Sequence, residues 1–140
     1  MSETKYEFAS PEWLTAMEAA LSSALEQAPA DEAKVRFSYS ERYTDPPEHL
    51  AKPEGVGYTA RFEDGTLTFL HKPTEDVDVA ITADYTAILP RVRWIIGDDP
   101  AAFGAGRQPL VDQGKLKHQG DTPFPAFLLG GHDIIAAQTR

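Results

Sequence analysis

The chain has 140 residues, 41% hydrophobic and 25% charged, which reads as one soluble globular domain large enough to bury a core. Its net charge of −9 repels phosphate backbones and anionic head groups, so nucleic acid is not an expected partner. The absence of cysteine excludes disulfides, thiolate metal sites and a cysteine nucleophile.

No apolar run approaches the ~18 residues of a membrane span, so stable membrane insertion is not expected. The first residues lack a basic segment followed by an apolar core, which points to a cytoplasmic protein. Residues 1–9 read as a flexible N-terminal segment in which Phe8 is the first anchored side chain. Residues 10–140 read as the domain itself.

Ser10-Pro11-Glu12 is a helix start, with a serine cap, a proline in the first turn and an acid at the positive end. Leu14, Met17, Leu21, Leu25 and Ala28 then recur at spacings of three and four. That stripe is either a wall of a cavity or a plain core face. Residues 28–31, Ala-Pro-Ala-Asp, stop it.

Val35, Phe37 and Tyr39 alternate with polar residues, which predicts a half-buried strand. Asp45-Pro46-Pro47 breaks it and opens a polar loop over 45–55. Ser38 and Ser40 have no glycine-flanked elbow around them, so they are strand-surface serines rather than nucleophiles.

Asp64-Gly65 marks a two-residue hairpin turn. The turn pairs Glu63 with Thr66, Phe62 with Leu67, Ala60 with Phe69 and Tyr58 with His71. This register puts the apolar partners on one face, with Arg61 opposite Thr68 on the other. His71 ends the apolar face, either contacting a ligand head group or exposed where the strand leaves the core. Val77, Val79 and Ile81 predict a fourth strand.

Thr82-Ala83-Asp84 caps a helix that carries Tyr85, Ile88, Leu89, Val92, Ile95 and Ile96 on one broad face. Pro90 removes an amide donor in its middle and kinks it. Such a helix suits a cavity lid or a solid core alike. Residues 97–100 end it, and residues 100–109 are poor in helix propensity and read as loose. A short turn of helix and a fifth strand follow in 110–121, with Leu116 and His118 alternating against Lys115, Lys117 and Gln119. Ala126 to Leu129 form an apolar run, Gly130-Gly131 interrupt it, and residues 132–137 make a last short helix.

Gly114-Lys115-Leu116-Lys117, with Gly120-Asp121 closing the strand and an amphipathic segment before it, resembles the sterol carrier protein 2 (SCP2) family. The order helix, strand, loop, hairpin, strand, helix, connector, strand, C-terminal helices is similar to that family over roughly residues 10–138. The implied fold is a single α+β domain with about five strands, mostly antiparallel, covered on one face by helices. The implied function is a small soluble carrier of an apolar ligand of sterol, fatty acyl or isoprenoid type.

By that resemblance the cavity lies between the sheet and the helices after strands four and five. Ile88, Leu89, Val92, Ile95, Phe103, Phe124, Phe127 and Leu128 would then face the ligand, with His71 as a polar contact. The family has no invariant catalytic residues to carry over, and it implies no cofactor. Two departures stand out: the proline-containing loop at 45–55 and the region 104–109 reshape the cavity mouth. The chain also ends Gln-Thr-Arg, which is not a peroxisomal signal.

Two other functions compete with the carrier. One is a small α+β hydrolase or isomerase, using His71 or His132 with Asp133 or Asp84. The other is a ligand-free module for homodimerisation or scaffolding. A metal site is not expected, because the four histidines form no i, i+4 pair and no ligand spacing.

Overall fold

The computed structural model describes residues 5–96 and 99–140, with nothing said of the Pro100 side chain. Five strands form one sheet in the order β3-β2-β1-β4-β5. They are β1 (Phe37–Thr44), β2 (Val56–Glu63), β3 (Thr66–Leu70), β4 (Val79–Asp84) and β5 (Leu116–Gln119). Only β1 and β4 run parallel; the other neighbours are antiparallel. The domain is therefore α+β with a mostly antiparallel sheet.

The hairpin follows the register that the turn dictates. Asp64 and Gly65 both have positive φ, 52° and 81°, and Glu63 pairs with Thr66, Phe62 with Leu67 and Ala60 with Phe69. The pairing ends at Thr59 with Leu70, one step short of the expected Tyr58–His71 pair. Two strands start later than the alternation suggests: Val35 and Val77 lie outside β1 and β4.

Period-two alternation then gives the sheet two unlike faces. One carries Phe37, Tyr39 and Tyr43 of β1, Val56, Tyr58, Ala60 and Phe62 of β2, and Val79 and Ala83 of β4, all buried. The other carries Ser40 and Thr59, which are buried by the connection from β3 to β4. Ser40 donates from Oγ to the Thr74 carbonyl at 2.6 Å, and Thr59 Oγ1 donates to the Lys72 carbonyl at 2.9 Å.

The apolar face is covered by α1 (Pro11–Gln27) and α6 (Leu128–Ala137), which pack on each other, and by α3 (Tyr85–Val92). Between α1 and β1 lies the single turn α2 (Ala30–Ala33). Ser10 caps α1 by accepting from the Trp13 amide at 3.2 Å, and Asp84 caps α3 by accepting from the Ala87 amide at 2.8 Å. Residues 5–9 join the fold at its far end. The Tyr6 amide donates to the Gln138 carbonyl at 2.7 Å, and Phe8 is fully buried. Residues 1–4 of the expected flexible segment lie outside the described residues.

Three helical expectations need correction. The helix after β4 ends at Val92 rather than Ile96. Its hydrogen-bond ladder tightens at the end, where the Trp94 amide donates to the Arg91 carbonyl at 3.2 Å, and the Ile96 amide then donates to the Asp133 carboxylate at 2.7 Å. The expected stop at Gly97 and Asp98 lies outside the described residues. Residues 100–109 are not loose: they hold α4 (Pro100–Ala105) and the start of α5 (Arg107–Asp112). Asp99 accepts from the Ala102 amide at 3.1 Å and Arg91 donates to the Phe103 carbonyl at 2.6 Å, so a cap and a contact from α3 outweigh weak propensity.

The third correction is that α6 runs straight through Gly130-Gly131. A Cβ on Gly131 would lie 3.2 Å from Leu21 Cδ2, so its hydrogen lets α1 and α6 approach closely. Gly131, read as part of a helix break in sequence, is in space the seat of a helix–helix contact.

Candidate functional site

The space between sheet and helices is filled at one end and hollow elsewhere. At the filled end the Phe8 ring lies 4.6 Å from Tyr43, 4.8 Å from Tyr85 and 5.0 Å from Trp13. Tyr85 Oη donates to the Phe8 carbonyl at 2.7 Å, and Trp13 Nε1 donates to Thr139 Oγ1 at 2.9 Å. Every polar tip in this cluster has a partner, as buried aromatic residues require.

Next to it lie two hollows, of about 190 Å³ and 350 Å³, that share Met17, Glu41, Tyr58, Phe103 and His132 as walls. The first is closed by Ile88, Val92 and Leu116 and edged by Arg91 and Arg107. The second extends towards Tyr39, Phe124, Leu128 and Leu129. Phe124 and Leu129 are exposed, so apolar side chains reach the surface there.

Of the side chains expected to face a ligand, Ile88, Val92 and Phe103 line the first hollow. Phe103, Phe124 and Leu128 line the second. Leu89 is half-buried against the core, and Ile95 is half-buried just beyond α3; neither lines these hollows. Phe127 packs edge-on against Phe62 at 5.3 Å. His71 is exposed beside Glu18 at 3.8 Å and edge-on to Phe69, apart from both hollows.

Phe103 is the pivot of the roof. The Arg91 guanidinium lies 4.0 Å over its ring, and the His132 ring is 5.2 Å away. His132 Nε2 donates to the Trp94 carbonyl at 3.0 Å, and burial holds the imidazole below its usual pKa, favouring the neutral form. Asp133 accepts from the Ile96 amide and Asp84 caps α3. Of the residues weighed for a His–Asp dyad, His132, Asp133 and Asp84 each hydrogen-bond a backbone group, and His71 lies beside Glu18.

The residue that sequence reasoning missed is Glu41. It continues the inward phase Phe37, Tyr39, Glu41, Tyr43 on β1, the central strand, with Tyr58 of β2 and Ile81 of β4 directly beside it. Gly57 permits this close pairing of β1 with β2: at φ 146°, a Cβ there would run into the Glu41 carbonyl. Tyr43 Oη donates to Glu41 Oε1 at 2.7 Å, and the Tyr39 and Tyr58 hydroxyls are hydrogen-bonded to each other at 2.9 Å. Burial pushes the Glu41 carboxyl pKa up, and the Tyr43 and Tyr58 hydrogen bonds pull it partly back. The signal was present in the sequence as an acid standing in an otherwise aromatic phase.

Among the described residues no group of three or more His, Asp or Glu side chains is placed to hold a metal ion, and no helix is long and apolar enough to cross a membrane.

No family model matches the chain, and no curated protein matches it either. Solved structures do. A ubiquinone synthesis protein described as UbiJ-SCP2 is 16% identical with a TM-score of 0.53, over 94% of this chain and 96% of its own. A conserved hypothetical protein from Thermus thermophilus, described as possibly a sterol carrier protein, is 14% identical with a TM-score of 0.55, over 99% and 96%. A structure of sterol carrier protein 2 is 14% identical with a TM-score of 0.52, over 96% and 100%. At such identities the likeness is one of fold, and the fold of this chain is that of sterol carrier protein 2.

Proposed function

We propose that this chain is a small carrier that holds an apolar molecule, a lipid of sterol, fatty acyl or isoprenoid type, in the space between sheet and helices. The observation that carries this reading is the pair of adjoining hollows beneath α3 and α6, walled by Met17, Ile88, Val92, Phe103 and Leu128. Apolar surface that a guest covers there contributes about 25 cal/mol per Å², with few polar groups needed to orient it. The structural neighbours include proteins named for sterol carriage, which supports the same reading. A carrier of this kind works in the aqueous phase, in keeping with the cytoplasmic location expected from the sequence.

The test is uptake of Nile red, a neutral apolar dye, by delipidated protein. Wild type should bind it saturably, and Val92→Asp should lose binding by at least about tenfold while keeping its circular dichroism, because an unpaired carboxylate in apolar surroundings is costly. Equal uptake by a folded Val92→Asp protein would contradict the carrier reading.

A further inference from the structure

Glu41 is placed where a purely apolar container would have no use for it. It stands at the middle of the covered face of the sheet, flanked by Tyr58 and Ile81, and it lines both hollows. Among the described residues, the ion pairs within 4.0 Å join His49 to Glu7 and His71 to Glu18, so Glu41 has no cation at that distance. A carboxyl group held in such a setting costs stability, and a leucine or glutamine of similar size would avoid much of that cost.

The hydroxyls around it do not saturate it. Tyr39, Tyr43 and Tyr58 bring three protons in all. Tyr43 donates to the carboxyl group at 2.7 Å, and the Tyr39 and Tyr58 hydroxyls pair with each other at 2.9 Å. A carboxylate has about four lone-pair sites, so acceptor capacity is left over on a side chain that lines the hollow. Of the neighbouring basic groups, Arg91 donates to the Phe103 carbonyl and lies over the Phe103 ring, and Arg107 stands at the edge of the first hollow. His132 gives its Nε2 proton to Trp94.

We infer that Glu41 is the head-group acceptor of the cavity, and that its guest is an amphiphile whose polar end donates a hydrogen bond, a hydroxyl or an amine, rather than a fatty acid. The inference rests on the carrier reading and names the ligand class within it. A donating head supplies the missing protons to Glu41 while its hydrocarbon lies along Met17, Val92 and Phe103. A carboxylate head offers only acceptors and would set a second acid against the first.

Displacement of Nile red by four dodecyl compounds tests this: the alcohol, the amine, the methyl ether and the carboxylate, each below its micelle concentration at neutral pH. Wild type should prefer alcohol and amine over ether and carboxylate by about tenfold, the usual scale of one charge-assisted hydrogen bond. Glu41→Gln, which keeps an amide carbonyl acceptor, should lose the preference for the amine and keep part of that for the alcohol. Glu41→Leu should lose both preferences, each affinity being referred to that variant's own Nile red constant. If the leucine variant fails to fold by circular dichroism, the glutamine variant alone decides through its alcohol-to-amine ratio. Tightest binding of the carboxylate, drawn by Arg91 and Arg107, would overturn the inference and leave the carrier reading standing. So would an unchanged ranking in Glu41→Gln. Failure of Nile red and all four compounds to bind wild type would remove the carrier reading, and this inference with it.

Discussion

One face of one sheet meets two different fates in this molecule. Around Phe8 it is covered by rings in mutual contact, each with its polar tip satisfied, and there is no room to spare. Around Glu41, on the same strand as Tyr43, it is covered by α3, α4 and α6 at a distance, leaving hollows with an acid on the floor. Ordinary folding drives interiors towards close packing, so an unfilled, polar-floored region is a departure that stability does not explain. The Phe8 end holds the domain together, and on the proposed reading the Glu41 end is left open for a guest.

The largest expected effect lies at the filled end. Phe8→Ala should cost about 3–5 kcal/mol in urea unfolding, because its neighbours have no way to collapse onto the gap. Adding bulk should reverse the contrast: Val92→Leu faces a hollow and should cost less than about 1 kcal/mol, where overpacking a filled core costs ~1–3. Equal penalties for added bulk at Val92 and at buried Val56 would erase the distinction between the two regions.

A smaller effect, opposite in sign, is expected at Glu41. Its carboxyl pKa is raised in the folded protein above the ordinary 4.5, so the native state binds that proton more tightly than the unfolded chain. Stability from this group is therefore greatest below the unfolded pKa and declines as pH climbs through the raised native value. Above that raised native value the full penalty is present, and there Glu41→Gln should melt about 3 °C or more above wild type. That advantage should shrink as the pH is lowered towards ~4. A glutamine variant that is less stable at neutral pH would mean that the acid serves structure rather than a guest.

The smallest effect is expected at His71, on the exposed sheet end. His71→Gln should shift stability by no more than about 0.5 kcal/mol and leave Nile red uptake unchanged, since a partly exposed pair such as His71–Glu18 contributes little.

What could be read from the chain follows from how local each signal is. The Asp64-Gly65 turn sets its own register within a few residues, and β2 and β3 follow it down to the pairing of Ala60 with Phe69. Ser10-Pro11 and Asp84 are local caps and start α1 and α3 where expected. The roof depends on contacts between distant residues. The chain past α3 is held by Asp133, the helix at 100–105 is braced by Arg91, and the passage of α6 at Gly131 lies against Leu21 and Ala24. None of those partners is near in sequence.

The site divides in the same way. Ile88, Val92, Phe103, Phe124 and Leu128 were legible as surplus apolar bulk with a fold to place them, and they do line the hollows. Leu89, Ile95 and Phe127 were equally apolar but line neither hollow: Leu89 packs on the core, Ile95 lies past the end of α3, and Phe127 packs on Phe62. Glu41 was within reach: extending the alternation of Phe37 and Tyr39 by two residues puts an acid on the inward face, where charges are rare unless they have work to do.

The central claim, that the Glu41 end is a container, is tested most directly by native mass spectrometry of the protein purified without detergent or organic solvent. The account predicts a population carrying one extra small-molecule mass, extractable by organic solvent and restored by adding a dodecyl alcohol. A protein that is free of added mass as purified, and that stays so at saturating alcohol, would contradict it.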